Sequence, residues 1–255
     1  MNIIESNSNK HVKHILKLKA KKYREQYKEF ILEGLKLIDE AIIAKENIRA
    51  IYVSSSNIND LKVEIENYKE MYPIFIVEEN IFKKLTSMQN SEGVLAINRF
   101  QDERELDDSN VIILDRVQDP GNLGTIIRTG DAAGFNNIIC GEGCVDIYNE
   151  KTIRASMGSL FHVNLRKDVD ILNEIVNLKQ AGYIVIGSDL GTDYYYTDLC
   201  EKKKYVLVIG NESNGIKEEI LNICDERIKI PIYGQAESLN ASVAAGILMY
   251  YIASL

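Results

Sequence analysis

Residues 111 to 117, VIILDRV, limit the fold more than any other segment. An apolar run of this length suits a strand buried on both faces, which requires a mostly parallel sheet covered by helices on either side. The flanking pattern agrees. Leu123 to Ala133 reads as a helix ended by Gly134, Ile138 to Cys140 as a strand, and Glu150 to Leu160 and Val169 to Gln180 as helices. Tyr183 to Ile186 and Tyr205 to Ile209 read as strands, Ile216 to Asn222 as helical and Arg227 to Ile232 as strand-like, with a closing helix from about Leu239. Upstream, helices are expected over Lys10 to Lys22, Leu35 to Lys45, Asn59 to Met71 and Ile81 to Ser87. They alternate with strands at Phe30 to Leu32, Ile48 to Val53, Ile74 to Val77 and Val94 to Ile97. The class is α/β, with a mostly parallel sheet expected in each half. The charged, aperiodic stretch 99–110 (RFQDERELDDSN) reads as a linker, giving domains 1–104 and 105–255.

The composition, 45% hydrophobic and 27% charged with 16 Gly and 3 Pro, excludes fibrous and disordered classes. Four cysteines in 255 residues are too few for a disulfide scaffold, and MNIIESNSNK has no leader pattern, so a cytoplasmic protein is expected. The apolar stretch Leu239 to Leu255 is broken by Asn240, Ser242 and Ser254 and reads as a buried helix, with no membrane role. Charge is placed unevenly. Asn9 to Lys28 holds eight Lys/Arg and one Glu, a net +7 in a chain of net −8. Lys10, Lys13, Lys17, Lys21, Lys22 and Arg24 are candidate nucleic-acid contacts, with Tyr23 and Tyr27 as flat surfaces between them. A solvated helix face explains the same run equally well. His11 and His14 are expected to face solvent, and Cys140 and Cys144 lack a second ligand pair for zinc.

Three polar turns follow expected strands, where open α/β sheets bind ligands. In the first, DPGNLGT at 119–125, Asn122 can cap the following helix and Arg128 lies on its early turns. The second, GNESNG at 210–215, puts Glu212 just beyond YVLVI, where a carboxylate needs a partner, and Arg128 is one such partner. The third runs from Ile230-Pro231-Ile232 to Ser242, with Ser238 placed as an N-cap and Asn240 and Ser242 opening a helix rich in Ala and Gly. Singly, each turn reads equally well as an ordinary capped helix start.

Together, DPGNLGTIIRTGDAAG (119–134), VIGNESNGI (208–216) and IPIYGQAESLNASVAAGI (230–247) resemble the three ordered motifs of the SpoU/TrmH-type RNA 2'-O-ribose methyltransferases. The segment SNSNKHVKHILKLKAKKYREQYKEFILEG is similar to the substrate-binding domain of the rRNA members, which has a ribosomal-protein-L30e-like fold. The resemblance implies S-adenosylmethionine as methyl donor, no metal, a homodimer formed through the catalytic domain, and a deep trefoil knot that the general rule against knotting would exclude. It implies catalytic roles for Arg128, Asn122, Glu212, Ser238 and Asn240, and donor binding by Gly210, Ile230 and Leu239, with Ser188 and Asn211 beside them. The implied substrate is RNA, with 23S rRNA favoured. A tRNA methyltransferase and a non-catalytic RNA-binding protein of the same fold are the alternatives.

Overall fold

The structure, a computed structural model, describes residues 2–255. It forms two compact units. One comprises the residues up to Asp102 together with Tyr148–Phe161, the other Glu103–Ile147 and His162–Leu255.

The first unit contains β1 (Asn2–Ile4), α1 (Lys10–Leu18), α2 (Lys21–Tyr27), β2 (Glu29–Glu33), α3 (Leu35–Ile43), β3 (Ile48–Ser54), α4 (Lys62–Tyr68), β4 (Ile74–Val77), α5 (Glu79–Leu85) and β5 (Val94–Arg99). Its sheet has the order β1-β4-β3-β5-β2. β1, β4 and β3 are parallel, whereas β5 runs antiparallel to both β3 and β2. The sheet is therefore mixed rather than mostly parallel, because short apolar runs such as Phe30–Leu32 carry no signature of strand direction. Val12, Ile15 and Leu18 on α1 recur at helical spacing and enter the core with Ile31, Tyr52 and Leu95.

The helix expected over 10–22 is two helices, since the backbone is extended at Ala20. Arg24 fills the elbow. It is 4% exposed and donates from Nη1 to the carbonyls of Leu18 and Lys19, both at 2.8 Å. These are end-of-helix carbonyls with no partner in α1 itself. Arg24 thus leaves the set of surface cations, while Lys10, Lys13, Lys17, Lys21 and Lys22 are exposed. The histidines are not solvent-facing ornaments either. His11 Nδ1 meets Tyr52 Oη at 2.8 Å and its ring packs on Phe75, and His14 Nε2 meets Glu29 Oε2 at 2.6 Å.

The segment 148–161 joins this unit because Tyr148 stacks on Phe30 and Phe100, with centroids 4.6 and 3.9 Å away. A single cut at 104/105 does not anticipate that return. Its helix, α7 (Glu150–Ser156), ends before the expected Leu160, at Met157 with φ 52°.

The second unit contains β6 (Val111–Leu114), α6 (Pro120–Ala133), β7 (Asn137–Gly141), β8 (Asn164–Val169), α8 (Ile171–Gln180), β9 (Ile184–Ser188), β10 (Tyr205–Ile209), α9 (Glu218–Leu221), β11 (Glu226–Ile228) and α10 (Ala241–Ala253). The order is β11-β9-β10-β6-β7-β8 and every pairing is parallel. Every residue of β6, β7 and β10 is buried, as the apolar runs require. β6 stops at Leu114 rather than Val117, since Asp115 and Arg116 turn the chain away. β8 was not expected. Its sequence NLRKDV is polar because it lies half-exposed at the sheet edge. β11 is also shorter than expected, and the chain beyond Ile228 is irregular. α10 packs on α6 and β10, and the absence of a Cβ at Gly130 and Gly246 keeps that seam narrow. Among the described residues no helix is long and apolar enough to cross a membrane.

Candidate active site

All six strands of the second unit point the same way, so the turns after β6, β9, β10 and β11 emerge at one edge. The strand order reverses between β6 and β10, the position at which such sheets open a crevice. The three polar turns meet there.

Asp119, not Asn122, caps α6. Its carboxylate accepts from Asn122 N at 2.8 Å, and Pro120 occupies the first helical position. The Asn122 side chain is thereby free for longer-range bonds. Its Nδ2 donates to Glu212 Oε1 at 3.0 Å, and its Oδ1 accepts from Asn240 Nδ2 at 2.9 Å. Asn240, rather than Ser238, caps α10. Its Oδ1 accepts from Ser242 N, Val243 N and Ser242 Oγ at 2.9, 3.3 and 2.6 Å. This fixes the polarity of the chain. A carboxylate can only accept, so Asn122 must turn its amide nitrogen to Glu212. Asn240 spends its oxygen on the cap, so it must donate to Asn122. Residues 90 and 118 positions apart are joined in one directed line.

Glu212 also accepts from Asp119 N at 3.2 Å, Gln118 N at 3.3 Å and Asn211 Nδ2 at 3.4 Å. Partial burial alone would push its carboxyl up. The hydrogen bonds from Asn122 and from the backbone outweigh this, and the group sits below the usual glutamate range. Arg128 is not its partner. Arg128 is exposed on α6, with no hydrogen bond or ion pair to any described residue.

Beside this line lies a cavity of about 550 Å3, lined by Ser188, Gly210, Asn211, Ile230 and Leu239, with Glu212 and Ser238 at its wall. These are the five expected donor-binding residues and two of the expected catalytic ones. Asn122, Arg128 and Asn240 do not line it. Gly210 has a steric reason. A Cβ there would lie 2.2 Å from Gly215 C and Ile216 N, because the turn doubles back onto its own start. The sequence reading missed Asp189, Leu190 and Ile232, which also line the cavity. Asp189 and Leu190 directly follow Ser188, so extending the β9 turn by two residues would have found them. It also missed Asp119 as the cap, for which the Asp-Pro pair was the available signal.

Among the described residues no cluster suited to a metal ion is present. In the first unit, the Nζ atoms of Lys17 and Lys22 lie 5.6 and 5.9 Å from the centroid of the Tyr23 ring.

Residues 109–250 match the model of the SpoU rRNA methylase family. The chain belongs to that family. Residues 9–96 match the model of the MRM3-like substrate binding domain. A relative in Bacillus subtilis (strain 168), the 23S rRNA (guanosine(2553)-2'-O)-methyltransferase RlmP, is 34% identical over 254 residues, covering 99% of each chain. An AdoMet-bound rRNA methyltransferase from Sinorhizobium meliloti superposes with a TM-score of 0.85 at 29% identity, covering 98% of this chain and 97% of that one. The SpoU methyltransferase AviRb from Streptomyces viridochromogenes shares the fold, with a TM-score of 0.86 at 24% identity, over 96% of this chain and 97% of its own. As a SpoU methylase, the chain carries its three motif turns in one place, joined by the Asn122 side chain.

Proposed function

We propose that this SpoU methylase transfers a methyl group from S-adenosylmethionine to a ribose 2'-hydroxyl of 23S rRNA. The observation that carries the reading is the Glu212–Asn122–Asn240 line set against the cavity. The full-length likeness to RlmP supports the choice of RNA.

The cavity fits the donor on two counts. Its volume, about 550 Å3, lies in the range that encloses a ligand of nucleoside size. The charged lining consists of Asp189, Glu212, Glu218 and Glu237 against Lys229 alone, a balance suited to a sulfonium. Gly210, Ile230 and Leu239 would hold the donor, with Ser188 and Asn211 beside them. When bound, the donor supplies a methyl group on positively charged sulfur, open to in-line displacement.

The remaining work is alignment of the acceptor, the largest contribution available to such a transfer. Arg128, exposed and without a protein partner, receives the RNA and orients the acceptor nucleotide by its phosphate. Its high pKa makes it a poor base. Asn122 and Asn240 are held rigid by Glu212 and by the α10 cap, and they border the position where the ribose must lie. Ser238, at the cavity wall, would contact the bound donor. Lys10, Lys13, Lys17, Lys21 and Lys22 supply phosphate contacts from the first unit, which we assign an L30e-like fold and the task of binding RNA.

The reading extends to the assembly. Val243, Ile247 and Tyr250 on α10 are 50%, 36% and 55% exposed at helical spacing, an apolar stripe suited to a second copy. To the chain end, whose helix α10 lies against α6 and β10, we assign the deep trefoil knot that the family resemblance implies. The four cysteines are free, in keeping with the cytoplasm.

The test is a map of 2'-O-methyl positions in cellular RNA with and without the gene. The expected result is one 23S rRNA position lost on deletion. A position lost from tRNA instead would transfer the assignment to the tRNA enzymes. An unchanged map would reject the reading.

A further inference from the structure

The turn 210–217 forms one wall of the cavity. It closes on itself through two backbone bonds between Asn211 and Gly215, at 3.0 and 2.9 Å, and through Asn211 Oδ1, which accepts from Ser213 N and Asn214 N at 3.0 and 3.1 Å. Glu212 ties its middle to α6, and its two ends are tied to the two polar residues that follow β6. Asp115 Oδ2 accepts from Lys217 N at 2.9 Å, fixing the far end of the turn. Arg116 O accepts from Asn211 Nδ2 at 2.9 Å, fixing the near end, and Arg116 Nη2 donates to Gly215 O at 3.3 Å between them.

The pair is built to do this. The Asp115 side chain is 2% exposed, and a carboxylate so buried requires full compensation. It receives it from its own neighbour, since Arg116 Nε and Nη2 grip the two carboxylate oxygens at 2.9 Å each. Adjacent residues can form that fork only if the backbone between them turns sharply. Arg116 has φ 57°, a left-handed conformation costly for a residue with a Cβ. Gly143 makes room for it, because a Cβ there would lie 3.1 Å from Arg116 Cγ. Neither Asp115 nor Arg116 lines the cavity.

We propose that Asp115 and Arg116 are positioning residues for methyl transfer. They hold the turn 210–217 in the shape that receives the donor, without touching either substrate. The inference rests on the donor assignment made above.

The test compares Asp115→Asn, Arg116→Gly and Arg116→Lys in the full-length protein. Titration calorimetry with S-adenosylhomocysteine reads donor-site affinity. Steady-state methylation of a 23S rRNA fragment separates KM for the donor from kcat, and thermal melts report the fold. Arg116→Gly relaxes the left-handed backbone while deleting the fork, and Asp115→Asn removes the charge that Arg116→Gly leaves unpaired, so the two variants together separate the fork from the fold. Loss of a charge-assisted hydrogen bond predicts a rise of about tenfold in Kd and in donor KM for Asp115→Asn and Arg116→Gly, with kcat at saturating donor within about twofold. Lysine cannot form the fork, so Arg116→Lys should fall between wild type and Arg116→Gly. Unchanged Kd and KM in Arg116→Gly would overturn the inference. So would a fall in kcat and melting temperature with affinity intact, the mark of a merely structural role. Failure of the wild-type protein to bind S-adenosylhomocysteine would instead defeat the donor assignment.

Discussion

Replacing Glu212 in two steps measures how much the directed line contributes. Oε1 takes the two short bonds, from Asn122 at 3.0 Å and Asp119 N at 3.2 Å, and Oε2 takes the two long ones, from Gln118 N and Asn211. Glu212→Ala removes all four. A bond to a charged group contributes about 1.5–3 kcal/mol when buried, but Glu212 is exposed, so about 1 kcal/mol for each short bond is the defensible figure. The sum, about 2 kcal/mol, corresponds to roughly a thirtyfold fall in kcat/KM. Glu212→Gln can keep its oxygen toward Asn122 and Asp119. It sets its new amide against two donors at longer range, so the expected loss is about fivefold. The assay is single-turnover transfer of a labelled methyl group from S-adenosylmethionine to a 23S rRNA fragment. An alanine variant within twofold of wild type, or a glutamine variant as impaired as alanine, would refute the hydrogen-bond account.

Four further outcomes are expected. Arg128→Ala should retain S-adenosylhomocysteine binding by calorimetry and lose methyl transfer, because its guanidinium has no structural partner to lose. Gly210→Ala should abolish donor binding, since its Cβ would meet backbone at 2.2 Å, and a normal titration would contradict the geometry. Changing Lys10, Lys13, Lys17, Lys21 and Lys22 to Gln should weaken RNA binding and flatten its log–log salt slope by up to about 3.5, measured by filter binding. Glu212 has a lowered pKa, so its contribution is fully present above the unfolded value of about 4.3 and is lost as pH falls through the folded value. Stability should therefore hold between pH 7 and about 5 and decline in more acid solution, with the decline weakened in Glu212→Gln, read by thermal melts.

The buried strands were legible because burial on two faces leaves an unbroken apolar run, as in Val111–Leu114 and Tyr205–Ile209. The edge strand Asn164–Val169 was not, since half-exposed backbone pairing places no demand on side-chain polarity. Arg24 illustrates the limit of charge counting. Its sequence neighbourhood marks it as one more surface cation, and only the elbow at Ala20 turns it inward. At the site, the motifs named residues that the fold gathers at one edge of the sheet, but not their hydrogen-bond partners. Asn122 was read as a cap and Arg128 as the mate of Glu212. With Asp119 capping α6, Asn122 takes the bridging place; the Asp-Pro pair signals the cap, but nothing local in 119–128 signals the bridge. The grip of Arg116 on Asp115 is equally silent in VIILDRV, where the two residues look like an interruption of a strand.

The bridge through Asn122 has a consequence for how the protein is made. Asn240 is synthesised last of the three, 118 positions after Asn122, so a nascent chain that has already folded its central strands still lacks one end of the line. The line closes only when the final helix docks.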